Sequence, residues 1–127
     1  MLQTQMRVLI ADSHYLIAMD LERILTETLL CDVSLCPLTD LQTMLRSNSY
    51  DVVMVDAVSS LKINQQHVDA VNAAGSRPVF LTTINDFHQA YPDLAAYPLL
   101  EKPFDPDAVA AVISKLRDEI ALARPVQ

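Results

Sequence analysis

Glycine and positive charge are both scarce in this chain of 127 residues. Its only glycine is Gly75, so the sequence contains neither the dinucleotide-binding fingerprint nor the P-loop, which need several glycines at fixed offsets. Nine Lys and Arg stand against sixteen Asp and Glu, and the net charge of -7 opposes the general attraction to nucleic acid. We therefore expect no ordinary nucleotide-binding fold and no nucleic-acid partner.

Cysteines are few, and long apolar runs are absent. Cys31 and Cys36 are five residues apart, which in a strand places them on opposite faces, where they cannot form a disulfide. We therefore expect a reducing, cytoplasmic location. No apolar run reaches the roughly 18 residues of a membrane span, and residues 1–7 do not resemble a signal peptide. The sequence predicts a soluble protein without a membrane partner.

The length, with 51% hydrophobic and 20% charged residues, is typical of one compact domain. We expect a single domain over residues 1–127 with no output domain, although a piece of a longer protein would look the same. Short apolar segments alternate with helical periodicity, which predicts a (βα)5 fold with a doubly wound parallel sheet of five strands. The predicted strands are Arg7–Asp12, Asp32–Cys36, Tyr50–Asp56, Pro78–Thr83 and Pro98–Lys102.

Apolar residues at helical spacing follow each predicted strand. Pro92 interrupts the fourth helical region, so an irregular segment is expected there. Asp105 as N-cap and Pro106 in the first turn are expected to begin the last helix. The predicted helical segments are 17–29, 38–45, 68–75 with its end at Gly75, the irregular stretch 87–97, and 105–125.

The polar residues at the carboxyl ends of the four strongest strands are Asp12, Asp56, Thr82 and Lys102. The carboxyl ends of parallel strands meet at the sheet edge where α/β proteins bind their ligands. Carboxylates that end apolar strands lose solvation and need a cation or hydrogen bonds, and Lys102 is the evident cation. A lysine at a solvated strand end contributes little packing, so we expect its removal to leave the fold intact.

Four segments resemble the landmark segments of two-component response regulator receiver domains, in the right order and at suitable separations. The resemblance implies a flavodoxin-like receiver fold with strand order 2-1-3-4-5 and a function in phosphorelay signal transduction. Its implied phosphoryl donor is a histidine kinase or a histidine phosphotransfer protein. The segments are Val8–Asp12, Tyr50–Asp56, Val79–Thr83 and Glu101–Phe104.

Specific roles for the polar residues are also implied by this resemblance. Asp56 would accept the phosphoryl group, Thr82 would bind a phosphoryl oxygen, and Lys102 would pair with the phosphoaspartate. Pro103 would follow Lys102 in the cis form. The plain alternative is that Asp56 is only a structural carboxylate at a strand end. Beyond its own phosphotransfer and slow dephosphorylation, the chain would not be an enzyme.

The resemblance further implies a Mg²⁺ site formed by Asp12, Asp56 and the backbone carbonyl of Val58. Most relatives have a second acidic residue after the first strand, where this chain has Ser13 and then His14. With one anionic ligand fewer, we expect Mg²⁺ to bind weakly, with Ser13 a weak ligand or none. Ser13 is expected to cap the first helix, and His14 to be a surface residue, since imidazole suits Zn²⁺ or Cu²⁺ better than Mg²⁺.

Output in this family typically uses the fourth helix, fifth strand and fifth helix. We expect a downstream protein partner or a homodimer to bind there, with Phe87, Tyr91 and Tyr97 as exposed aromatic candidates. The alternative is that these rings only cover the sheet edge. Leu99 stands where many members have the aromatic residue that reports phosphorylation.

Two other functions stay open at this point. A pseudo-receiver would keep the fold as a protein-interaction module without phosphorylation, and Ser13 and Leu99 favour it. An enzyme on the same fold, such as a phosphatase or flavin protein, is less favoured because no Ser-, Thr- and Gly-rich phosphate loop is present.

Overall fold

A computed structural model describes residues 5–84 and 86–123. Five parallel strands form one sheet in the order β2-β1-β3-β4-β5, which confirms the predicted fold class and strand order. Their apolar residues are covered on both faces, as continuous apolar strands require. The strands are β1 (Arg7–Ala11), β2 (Asp32–Cys36), β3 (Val52–Asp56), β4 (Arg77–Thr82) and β5 (Leu99–Glu101).

The helices follow the predicted alternation, and the fourth is the irregular one. It has only four residues and is followed by a 3-10 turn that begins at Pro92, as the missing N–H of proline favours. The first helix continues in a π-helical turn over Ile24–Thr28. The helices are α1 (Tyr15–Arg23), α2 (Leu41–Ser47), α3 (Leu61–Ala73), α4 (Phe87–Ala90) and α5 (Pro106–Ala123).

Local chemistry sets the predicted helix ends. The side chain of Asp105 accepts a hydrogen bond from the N–H of Asp107 at 3.2 Å, and Pro106 is the first residue of α5. Gly75 follows α3 with φ of +80°, a conformation that glycine adopts without strain. Residues 1–4 and the predicted end of the last helix at Pro125 lie outside the described residues.

The core lies on both faces of the sheet. On one face α1 and α5 pack against alternate strand residues, and on the other face α2, α3 and α4 do so. Cys31 belongs to the first of these faces and Cys36 to the second, and both thiols are free, as predicted; both are also buried. Within the described residues, no helix combines the length and apolar composition needed to cross a bilayer.

The aromatic residues of the α4 region are part of the core. Phe87 is fully buried, and its ring centroid lies 5.2 Å from that of Phe80 on β4. Tyr91 and Tyr97 are half-buried and pack against the same cluster. The prediction of an exposed Phe87 is wrong, because the irregular segment folds its rings down onto the sheet instead of presenting them to solvent.

Candidate functional site

The polar ends of β1, β3 and β5 meet at one edge of the sheet. Nζ of Lys102 lies 2.8 Å from Oδ2 of Asp12 and 2.8 Å from Oδ1 of Asp56. Solvent reaches 0% of the Asp12 side chain, 5% of the Lys102 side chain and 15% of the Asp56 side chain. One buried ammonium therefore bridges two carboxylates, and Asp56 is the more accessible of the two.

The charges around Lys102 compensate for its burial. Burial acts to lower the pKa of the ammonium, but the close contact with Asp12, the hydrogen bond to Asp56 and the two negative charges outweigh it and raise the pKa. Lys102 is thus charged throughout the physiological range. The expectation of a solvated lysine is wrong, since its side chain is enclosed between the strand ends. Glu101, the residue before Lys102, is exposed, and adjacent residues of an extended strand point to opposite faces.

Thr82 ends β4 beside this cluster and is 2% exposed. Its Oγ1 accepts a hydrogen bond from the N–H of Ile84 at 2.9 Å, which leaves the hydroxyl proton available to donate. Its carbonyl accepts from the N–H of Lys102 at 2.8 Å and so ties β4 to the residue that carries the cation. The Lys102–Pro103 peptide bond is cis, as the resemblance implied.

Val58 lies two residues after Asp56, in the loop that leads to α3. Its N–H donates to Oδ1 of Asn64 at 2.9 Å, and its carbonyl accepts from Nδ2 at 2.8 Å. A carbonyl has two lone pairs, so this bond leaves one for a metal ion. Sequence reasoning missed Asn64, although the pattern contains a clue: Asn64 shares the apolar face of α3 with Val68 and Val71, where a polar residue needs an internal partner.

The Ser13 side chain forms a hydrogen bond outside the carboxylate cluster. Its Oγ accepts a hydrogen bond from the N–H of Leu38 at 3.2 Å, across the loop that follows β2. The residue at the N-cap of α1 is His14, without a side-chain capping bond, so the prediction that Ser13 caps this helix is wrong. The doubt about Ser13 as a metal ligand is consistent with this orientation.

His14 takes part in the site despite its exposure. Its Nδ1 lies 3.2 Å from Oδ1 of Asp12 and 3.8 Å from Oδ2 of Asp56, while 66% of the side chain is exposed. Its backbone N–H also donates to Oδ1 of Asp12 at 2.9 Å. The view of His14 as a mere surface residue is therefore incomplete. Because the short Asp12 side chain accepts a hydrogen bond from the backbone two residues later, the imidazole of His14 lies close to the carboxylates.

The donor atoms of this edge fit a divalent cation. Asp12, His14 and Asp56 each offer one ligand atom, and the three atoms lie within 4.8 Å of one another. Two carboxylates and the carbonyl of Val58 are oxygen donors of the kind that Mg²⁺ uses. Imidazole is a donor typical of transition metals instead, so the set is mixed.

Solved structures of receiver domains are similar to this one. A two-component response regulator from Clostridium difficile has a TM-score of 0.74 at 17% identity, over 91% of this chain and 98% of that chain. The signal receiver domain of an HD domain-containing protein from Pseudomonas fluorescens Pf-5 has a TM-score of 0.77 at 15% identity, over 96% of this chain and 93% of that chain.

A third similar structure is SdrG from Pseudomonas melonis Fr1, in its BeF3-activated conformation. Its TM-score is 0.72 at 24% identity, over 90% of this chain and 98% of that chain. No protein-family model and no curated protein matches the sequence. With the strand order and the converging strand ends, these similarities establish that the chain has the fold of response regulator receiver domains, as its landmark segments implied.

Proposed function

We propose that this chain is a receiver domain of two-component signalling and that it accepts a phosphoryl group on Asp56 from a phosphohistidine donor. The observation that supports this most is the contact of one buried ammonium with two carboxylates, at 2.8 Å each. Lys102 holds Asp56 in place and supplies the positive charge that phosphoryl transfer to an anion needs. Asp56 is the more exposed carboxylate and so the one a donor can reach.

In the proposed step, an oxygen of Asp56 attacks phosphorus as the P–N bond to the donor imidazole breaks. The electrons of that bond stay with the imidazole, which takes up a proton. A divalent cation held by Asp12, Asp56 and the Val58 carbonyl would neutralise charge between the carboxylate and the phosphoryl oxygens. The hydroxyl of Thr82 would donate to a phosphoryl oxygen, and Lys102 would pair with the product.

The donor would approach beside α1. Tyr15, Leu16 and Met19 on this helix are 64%, 82% and 41% exposed, and His14 at the helix N-terminus contacts the candidate site. Exposed apolar side chains next to a charged site suit a transient protein contact that excludes water during transfer. A histidine kinase or a histidine phosphotransfer protein is the proposed partner.

The phosphorylated state would decay slowly. Val58 and Ile84 carry apolar, half-buried side chains beyond Asp56 and Thr82, and neither can orient a hydrolytic water. The chain would therefore act as a signalling module rather than as an enzyme with turnover. The signal would pass through a protein contact on the surface of α4, β5 and α5, in which Tyr91 and Tyr97 can take part but Phe87 cannot.

Intact mass after exposure to acetyl phosphate and a divalent cation tests the proposal. The parent is expected to gain one phosphoryl group and Asp56→Asn none. Asp118→Asn, which changes an exposed carboxylate of α5, is the matched control and should behave as the parent. A phosphoryl gain in Asp56→Asn would move the acceptor to another residue.

The orientation of Ser13 favours a second candidate, a pseudo-receiver that binds partners without phosphorylation. Its hydroxyl bonds Leu38 and leaves the site with two carboxylates. A folded parent that gains no mass with any divalent cation would support this alternative.

A further inference from the structure

Each carboxylate of the site directs one oxygen to Lys102 and the other to His14. Oδ2 of Asp12 and Oδ1 of Asp56 contact the ammonium. Oδ1 of Asp12 and Oδ2 of Asp56 lie 3.2 Å and 3.8 Å from Nδ1 of the imidazole. The Lys102 ammonium therefore contacts only one oxygen of each carboxylate, and the other oxygen of each lies on the side of the imidazole.

The distances from Nδ1 of His14 to the two oxygens are close to those between two ligands of one metal ion. Donor atoms about 2.0–2.2 Å from a zinc ion lie roughly 3.0–3.5 Å from each other. The contacts of Nδ1 at 3.2 Å and 3.8 Å are close to this separation, and His14 is exposed enough to adjust. An ion between the three atoms would replace the contact of Nδ1 with Asp12 and would leave Lys102 undisturbed.

We propose that Asp12, His14 and Asp56 form a mixed oxygen and nitrogen site that selects a transition metal such as Zn²⁺ over Mg²⁺, with Nδ1 of His14 as the third ligand. The inference rests on the proposed function for its biological meaning, because this cation would assist phosphoryl transfer. Its chemical basis is the replacement of an oxygen donor by an imidazole.

The donor set explains the selectivity. Mg²⁺ prefers six oxygen ligands and loses its water reluctantly, so an imidazole adds little to its binding. Zn²⁺ binds imidazole and carboxylate together in sites with few protein ligands and keeps positions for water or substrate. Ser13, the residue that could have supplied a further oxygen, bonds Leu38 instead.

Calorimetric titration with Zn²⁺ alone and with Mg²⁺ alone, without any phosphodonor, tests this site. Zn²⁺ binds most protein ligands more tightly than Mg²⁺, so the informative quantity is the ratio of the two affinities. His14→Asp should lower the ratio of Zn²⁺ to Mg²⁺ affinity by about tenfold or more, because it exchanges a nitrogen donor for a carboxylate. His14→Ala should lower the affinity for Zn²⁺ by a similar factor and should change the affinity for Mg²⁺ little.

Two further variants locate the ion. Asp56→Asn should weaken Zn²⁺ binding, and His88→Gln, which removes a histidine far along the chain, should not. An unchanged ratio in His14→Asp, or Zn²⁺ binding that is insensitive to His14→Ala or to Asp56→Asn, would overturn the inference. If the parent gains no phosphoryl mass but His14→Asp still lowers the ratio of Zn²⁺ to Mg²⁺ affinity, phosphorylation is rejected and the metal site is kept. The two proposals can therefore fail separately.

Discussion

Asn64 bonds both backbone groups of Val58 with a single carboxamide. Oδ1 accepts from the N–H at 2.9 Å and Nδ2 donates to the carbonyl at 2.8 Å, so only one orientation of the amide satisfies both bonds. Asn64 is fully buried, and Ser60 caps the helix that carries it by accepting from Ile63. The loop that follows Asp56, the candidate phosphoacceptor, is thereby held in one conformation.

We predict that Asn64→Ala lowers the free energy of unfolding by about 2–3 kcal/mol, since two hydrogen bonds are lost and both backbone groups of Val58 lose their partners. Urea denaturation measures this. Gln65→Ala, on the next position of the helix, removes only the hydrogen bond to Asp69 and should change stability by at most about 0.5 kcal/mol. Equal effects of the two substitutions would show that the Asn64 bonds do not hold the loop.

Lys102→Met should destabilise the fold by about 3 kcal/mol, because it leaves Asp12 buried beside a second carboxylate with no cation. Lys115→Met, which changes an exposed lysine of α5, is the control and should have almost no effect. Millimolar Mg²⁺ should restore part of the loss in the first variant only. If Lys102→Met unfolds at the same urea concentration as the parent, the ammonium is not needed to hold the carboxylates.

Much of this architecture follows from the sequence. The strands are continuous apolar runs that end on polar residues, and strands of this kind can form only a sheet covered on both faces. Because parallel strands end at one edge, Asp12, Asp56 and Lys102 were expected together, and they lie within hydrogen-bonding distance. Each of these residues is placed by the strand that it ends, so the local sequence pattern is enough to predict its position.

Contacts between elements are what the sequence did not reveal. Phe87 is buried by Phe80, which belongs to a different element, and the burial of Lys102 depends on Asp12, which is ninety positions earlier. Asn64 looks like one more polar residue of a surface helix until its partner in the preceding loop is known. All three outcomes depend on tertiary packing; helical periodicity indicates that Asn64 lies on a buried face, but it does not identify the partner of any of the three residues.

Acid should weaken the fold through His67. Burial lowers its pKa from the ordinary value of 6.5, and within the described residues its buried Nδ1 has no hydrogen-bond partner. The unfolded chain therefore takes up a proton that the folded chain does not, so this contribution to stability is complete above pH 6.5 and is lost as pH falls below it. The loss of unfolding free energy between pH 7.5 and pH 5.5 should be smaller in His67→Gln than in the parent. An identical loss would exclude His67 as its source.

Ser13→Asp should increase the response to Mg²⁺. The new carboxylate follows Asp12 directly in the chain and adds a third negative charge near the two of the site, so repulsion should lower the unfolding temperature of the metal-free variant. It also adds an anionic oxygen, which raises the affinity for Mg²⁺ and hence the stabilisation at a given concentration. Thermal unfolding with and without Mg²⁺ measures both effects, with Ser114→Asp on the exposed face of α5 as a control of equal charge. A parent that Mg²⁺ stabilises as strongly as the variant would mean that the site is already complete without a third carboxylate, and that the turn of Ser13 towards Leu38 does not limit metal binding.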